Sequence, residues 1–117
     1  MKEGLFSQVY KIVSKIPKGS VMTYAQVAFS IQNSKLKIKN DKSKSKINPK
    51  VVGFALHANK DLKVPCHRVV NKDGRIALNF AFGGAEEQKR RLLKEGVVFV
   101  DEIRVDLSKC GLPILRI

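Results

Sequence analysis

Apolar residues return every three or four positions at the start of the chain: Leu5, Val9, Ile12, Val13 and Ile16. That spacing predicts an amphipathic helix over residues 2–16, ended by Pro17-Lys18-Gly19. Thr23 is placed to cap a second helix over about 24–31, with Val27 and Ala28 facing inward. A third helix is predicted over 49–58, with Pro49 in its first turn and Asn48 as its cap. Val51, Val52, Ala55 and Leu56 make its buried side, while Lys50, Phe54 and His57 are not fixed by the pattern. Residues 59–64 read as a crossing loop. Arg68-Val69-Val70, the turn Asn71-Lys72-Asp73-Gly74, and Arg75-Ile76-Ala77 read as a short β-hairpin. Gly83-Gly84 opens a charged helix over about 85–94 that stops at Gly96. Residues 97–105 are extended, and 107–117 close the core. The expected fold class is mainly α with a small β-hairpin.

Between the second and third helices the periodicity disappears. Residues 33–50 carry seven Lys against one Asp, a net of +6 in a chain whose formal charge is +13. The stretch over about 33–47 reads as a basic, low-complexity insert with too little apolar content to bury itself. A charge this large attracts polyanions, nucleic acid first and an anionic membrane surface second. No apolar run approaches the roughly 18 residues of a membrane span. At 117 residues, 44% of them hydrophobic, a single domain with one core is expected. Cys66 and Cys110 are too few for a disulfide framework, and no closely spaced Cys/His set suggests zinc. A reducing, cytoplasmic and nucleoid-associated setting fits this usage.

The chemistry concentrates in Val64-Pro65-Cys66-His67-Arg68-Val69-Val70. An ordinary thiol is only a few per cent thiolate at neutral pH, and neighbouring His and Arg can lower its pKa or take its proton. Proline fixes its own φ and pushes Val64 towards an extended backbone, so the sulfur is expected on a rigid bend.

Four blocks together resemble the carboxy-terminal, DNA-binding and catalytic domain of the 6-O-alkylguanine-DNA alkyltransferases, or methylated-DNA–protein-cysteine methyltransferases. They are Ile16-Pro-Lys-Gly-Ser-Val-Met-Thr-Tyr-Ala-Gln-Val-Ala28; Val51-Val-Gly-Phe-Ala-Leu56 with Asn59; Val64-Pro-Cys-His-Arg-Val-Val70; and Phe82-Gly-Gly-Ala with Arg91-Leu-Leu-Lys-Glu-Gly96. The resemblance implies a winged helix-turn-helix-like DNA-binding domain. It implies Cys66 as alkyl acceptor, His67 as the base acting through a water, and Glu95 as the carboxylate orienting His67. Asn59 would brace the active-site loop, and Tyr24 would help rotate the nucleotide and protonate the leaving guanine. Val64, Pro65, Val69 and Phe80 would form the base pocket, with the Val69 carbonyl on the guanine amino group. Lys50, Val52, Gly53, Phe54, Ala55 and Arg68 would meet the DNA. Lys50 stands where the family carries an arginine finger. The family's usual amino-terminal domain has no counterpart here, and the basic insert lengthens the connection before Lys50.

The implied partner is double-stranded DNA carrying alkylated guanine, with no membrane, no metal and no cofactor, acting as a monomer with other repair proteins as possible partners. The implied reaction is stoichiometric transfer of the alkyl group to Cys66. An alternative is an alkyltransferase-like protein that senses the lesion without transfer; such relatives usually replace the cysteine. A basic nucleoid-binding protein with a decayed site is the third reading, and it would bind all DNA alike.

Overall fold

The computed structural model describes residues 4–32, 47–77 and 80–112. In chain order these form α1 (Leu5–Val13), β1 (Met22–Thr23), α2 (Tyr24–Gln32), α3 (Pro49–Ala58), a single 3-10 turn (Cys66–Arg68), β2 (Val69–Val70), α4 (Gly84–Lys94) and α5 (Leu107–Cys110). The basic insert, apart from its last residue Ile47, lies outside the described residues. The helix starts follow the predicted chemistry. Thr23 Oγ1 accepts from Gln26 N at 3.1 Å and Gln26 Oε1 accepts from Thr23 N at 2.8 Å, a reciprocal capping box for α2. Asn48 Oδ1 accepts from Val51 N at 2.9 Å, with Pro49 in the first turn of α3. Helix α1 is shorter than predicted, ending at Val13, yet Ile16 beyond it remains buried.

The class is as expected, mainly helical with a small two-stranded sheet, but the sheet has different partners. β2 pairs with β1 in parallel, Met22 opposite Val69 and Thr23 opposite Val70. A parallel pair needs a crossover, and α2 and α3 supply it. The turn at residues 71–74 does form, with Asn71 N donating to the Arg75 carbonyl at 3.0 Å. The predicted return strand then leaves β2: Ile76 N bonds to the Ile103 carbonyl at 2.9 Å and Arg75 bridges Arg104. Residues 97–106 fold back on themselves, through Val100 N to the Arg104 carbonyl at 2.9 Å and Asp106 N to the Val98 carbonyl at 2.8 Å.

Alternation along the two short strands divides the interior into two buried clusters, where a single core was expected. Met22 and Val69 face a core built by α1, α2 and α3, around Val9, Ile12, Val27, Ile31, Val52 and Leu56. Val21 and Val70 face a second core with Ile76, Leu92, Val97, Val105 and Cys110. Each fully buried aliphatic side chain contributes about 1.5–3 kcal/mol. The segment at residues 64–70 threads between the two cores, with Val64, Cys66 and Val69 against the first and Val70 against the second.

Candidate active site

The backbone around Cys66 is bent twice in four residues. Cys66 N donates to the Val64 carbonyl at 2.8 Å across Pro65, whose φ is −79° and ψ 67°. That is an inverse γ-turn, and proline's ring already holds φ near the required value. Arg68 N then bonds to the Pro65 carbonyl at 3.0 Å, closing the 3-10 turn before β2 begins. The sulfur therefore sits on a fixed bend, as the proline predicted. Asn59, buried at the C-terminal end of α3, spans the loop. Its Nδ2 donates to the Asp61 carbonyl at 3.0 Å and to Cys66 Sγ at 3.0 Å, while its Oδ1 accepts from Asp61 N at 3.0 Å.

His67 and Arg68 turn away from the sulfur and converge on Glu95. His67 Nε2 lies 3.0 Å from Glu95 Oε2. Arg68 grips the same carboxylate with both arms, Nε to Oε1 at 2.9 Å and Nη2 to Oε2 at 2.7 Å, and donates Nη1 to the Ile16 carbonyl at 2.7 Å. The end of α4 delivers Glu95 to this place. Gly96 N bonds to the Leu93 carbonyl and Val97 N to the Leu92 carbonyl, both at 3.0 Å, with Gly96 at φ +89°. This is a Schellman stop, which needs the left-handed conformation that glycine adopts without strain. Buried Gln88 on α4 ties the turn from the other side. Its Nε2 donates to the carbonyls of His67 and Val69 at 3.1 Å each, and its Oε1 accepts from Ala77 N at 2.7 Å.

Burial pushes the Cys66 thiol above its ordinary value; the Asn59 hydrogen bond and the Arg91 charge oppose this without reversing it. The adjacent His and Arg therefore do not make a resting thiolate. Burial holds His67 below its ordinary 6.5, outweighing the opposing pull of Glu95, so the imidazole is neutral at neutral pH. Burial works against the charge on Glu95, but the hydrogen bonds from Arg68 and His67 win and hold its carboxyl below the usual value. Burial likewise raises the Tyr24 phenol. Two pH effects follow. Below pH 6.5 the unfolded chain takes up a proton at His67 that the folded chain resists, so stability falls as pH drops. Glu95 adds to that loss below 4.5, where the unfolded carboxyl protonates first. Urea melts from pH 8 down to pH 4 should show a falling midpoint, and Glu95→Gln should flatten the lower part of the curve.

Cys66 lines a small cavity of about 40 Å³ together with Tyr24, Gly53, His57, Val69 and Phe80. That is room for a few waters at roughly 10–15 Å³ each. Tyr24 is the first residue of α2, and Gly53 and His57 lie on α3. Phe80 is held from outside by Arg91, whose guanidinium carbon is 5.4 Å from the Phe80 ring and 5.5 Å from the Phe82 ring. Arg91 is itself fixed by Glu87 at 2.7 Å.

The structure thus brings together Cys66, Tyr24, Val69 and Phe80 at the cavity, with Asn59 bonded to the sulfur and His67 paired with Glu95. Five of the expected site residues are placed elsewhere. Arg68 is spent inward on Glu95 and Ile16, with its side chain 12% exposed, instead of standing free at the surface. Val52 and Ala55 are fully buried on the core side of α3, so their side chains cannot reach DNA. Val64 packs into the first core instead of the cavity wall, and Pro65 is buried within the γ-turn. Lys50 and Phe54 remain on the exposed side of α3. His57 and Gln88 were not singled out by the sequence. Gln88 had a readable signal, since it falls in line with Ala85 and Leu92 on the apolar side of an otherwise charged helix.

Comparison with known proteins agrees with this geometry. The family described as "6-O-methylguanine DNA methyltransferase, DNA binding domain" matches residues 4–97, and the chain belongs to it. Alkyltransferase-like protein 1 of Schizosaccharomyces pombe is 32% identical over 93 residues, covering 79% of this chain and 75% of that protein. The structure of the S. pombe protein in complex with damaged DNA containing O6-carboxymethylguanine superposes with a TM-score of 0.71 at 29% identity, covering 96% of this chain and 98% of that one. A bifunctional methyltransferase/endonuclease of Thermoplasma volcanium is 30% identical over 83% of this chain, which spans 27% of that protein. The methylated-DNA–protein-cysteine methyltransferase of Saccharolobus solfataricus is 42% identical over 56% of this chain, or 35% of its own length. The chain therefore spans about a third or less of these two longer relatives. No helix among the described residues is long and apolar enough to cross a membrane.

Proposed function

We propose that this chain binds double-stranded DNA carrying 6-O-alkylguanine, rotates the damaged nucleotide out of the helix, and takes its alkyl group onto Cys66. The observation that carries the reading is the buried Cys66 Sγ at the cavity wall, held by Asn59 Nδ2 at 3.0 Å. A base inside a duplex cannot reach a buried sulfur, so it must be extruded, and the cavity walls must part to admit it. The Cys66 proton leaves to neutral His67. The transfer runs through a water, the role the family resemblance gives His67. Glu95 stabilises the imidazolium that forms, the logic of an orienting carboxylate in a triad. The sulfur forms its bond to the alkyl carbon as the carbon–oxygen bond breaks, and the oxygen leaves with the electron pair. The Tyr24 hydroxyl protonates the departing guanine, and the proton held on His67 returns to the phenolate through solvent. The product is a thioether on Cys66 and an unmodified guanine, and one protein is consumed per lesion.

A lesion sensor without transfer is the second reading. It is favoured by the mutual coverage with the S. pombe alkyltransferase-like protein, which is far greater than with the longer methyltransferases. Competition between alkylated and plain duplex tests what both readings share: selective capture of the alkylated duplex supports them, and equal binding refers the chain to the basic nucleoid-protein class. The insert is proposed to add affinity without selectivity, since phosphate contacts carry no information about an alkylated base. Replacing its six lysines, Lys35, Lys37, Lys39, Lys42, Lys44 and Lys46, by serine should weaken both duplexes alike. It should also flatten the slope of log K against log salt by about 0.9 for each phosphate that is no longer neutralised. An unchanged slope would show that the insert does not touch DNA.

A further inference from the structure

The exposed side of α3 carries Lys50 and Phe54 one turn apart, with Lys50 Nζ 5.8 Å from the centre of the Phe54 ring. Phe54 is 56% exposed, so most of the stabilisation its ring could gain by burial is forgone. Its position relates this ring to the cavity. Gly53, directly before it, lines the Cys66 cavity, and so does His57, three residues on and therefore on the same side of the helix. An extruded nucleotide stays tethered to its strand, so the gap it leaves lies within a nucleotide's reach of the cavity mouth. Unstacking costs a few kcal/mol, and proteins that open a duplex often offset this by inserting an apolar side chain between base steps.

We infer that Phe54, and not Lys50, is the side chain that fills the gap left by the extruded guanine, while Lys50 pairs with a flanking phosphate. This deepens the lesion-binding reading proposed above and rests on it. A phenyl face stacks on any neighbouring base, as aromatic platforms for single strands do. A lysine ammonium is a compact point charge with no planar face to stack, but it suits a phosphate. The Lys50 ammonium lying over the ring places both side chains at one spot on α3, the ring for the bases and the charge for the strand that borders them.

The test measures affinity for a 6-O-methylguanine duplex and for the same duplex with plain guanine, by fluorescence anisotropy, in a Cys66→Ala background so that transfer does not consume the protein. Phe54→Ala is expected to weaken the lesion duplex by roughly 5- to 150-fold, the equivalent of removing one base stack, with little change on plain duplex. Phe54→Trp should restore the preference. Lys50→Ala should weaken both duplexes together and lower the salt slope by about 0.9. A 2-aminopurine next to the lesion should report the altered stacking in Phe54→Ala. Thermal melts that match the parent protein identify the effect as one on DNA binding rather than on folding. Lesion preference kept by Phe54→Ala but absent in Lys50→Ala would overturn the assignment. A parent protein with no lesion preference at all would instead remove the underlying reading, and the wedge with it.

Discussion

Cys66→Ala should abolish alkyl transfer completely while leaving selective binding to alkylated duplex in place. The sulfur is the only atom at the cavity wall proposed to form a bond, so nothing replaces it. The cavity itself is built by Tyr24, Gly53, His57, Val69 and Phe80, whose positions do not depend on the thiol. The substitution removes one buried sulfur and its hydrogen bond from Asn59, at a stability cost of about 1 kcal/mol. Cys110 should take no alkyl group in either protein. It is buried in the second core, and its Sγ accepts from Val98 N at 3.3 Å, well away from the cavity lining. Single-turnover assays with labelled duplex check the rate, and gel shifts check the binding. Loss of both together would show that the thiol shapes the site rather than reacting in it.

Glu95→Gln should slow transfer by about 10²-fold or more, the usual contribution of an acid–base partner, with a much smaller effect on DNA affinity. The carboxylate touches His67 and Arg68 and no exposed surface of α3, so its loss acts on the proton path. It also removes a largely buried ion pair and leaves the Arg68 guanidinium short of its charge partner, a change that destabilises. These two consequences separate by pH. Restoring transfer towards alkaline pH in Glu95→Gln, where the thiol ionises without help, would locate the defect in deprotonation of Cys66. A defect constant across pH, with affinity reduced in parallel, would assign Glu95 to the fold alone.

Much of this arrangement was legible in the chain because it depends on local chemistry. Thr23 before α2, Asn48 with Pro49, and the proline before Cys66 are short-range signals, and each produced the predicted turn or cap. The long-range pairings were not legible. The turn at 71–74 looked like a hairpin, but β2 is buried between two cores and pairs with the equally buried β1, leaving Arg75 to bridge Arg104. Arg68 looked like a surface cation beside a nucleophile; only the Schellman turn at Gly96 reveals that a carboxylate is brought underneath it. Of the two effects that the neighbouring His and Arg suggest for the thiol, a lowered pKa or removal of its proton, the structure speaks against the first. Charge next to Cys66 in the chain suggested a lowered pKa, whereas its burial in the first core dominates and raises it. Helical spacing had already assigned Val52 and Ala55 to the buried side of α3, and the structure agrees with that against their assignment to DNA.

The most direct measurement is the intact mass of the protein after incubation with a duplex containing 6-O-methylguanine, followed by peptide mapping. One added methyl group per chain, found on the peptide carrying Cys66 and absent with plain duplex, is the result predicted here. An unchanged mass in a protein that binds the lesion selectively would contradict transfer and leave the chain as a sensor of alkylated DNA.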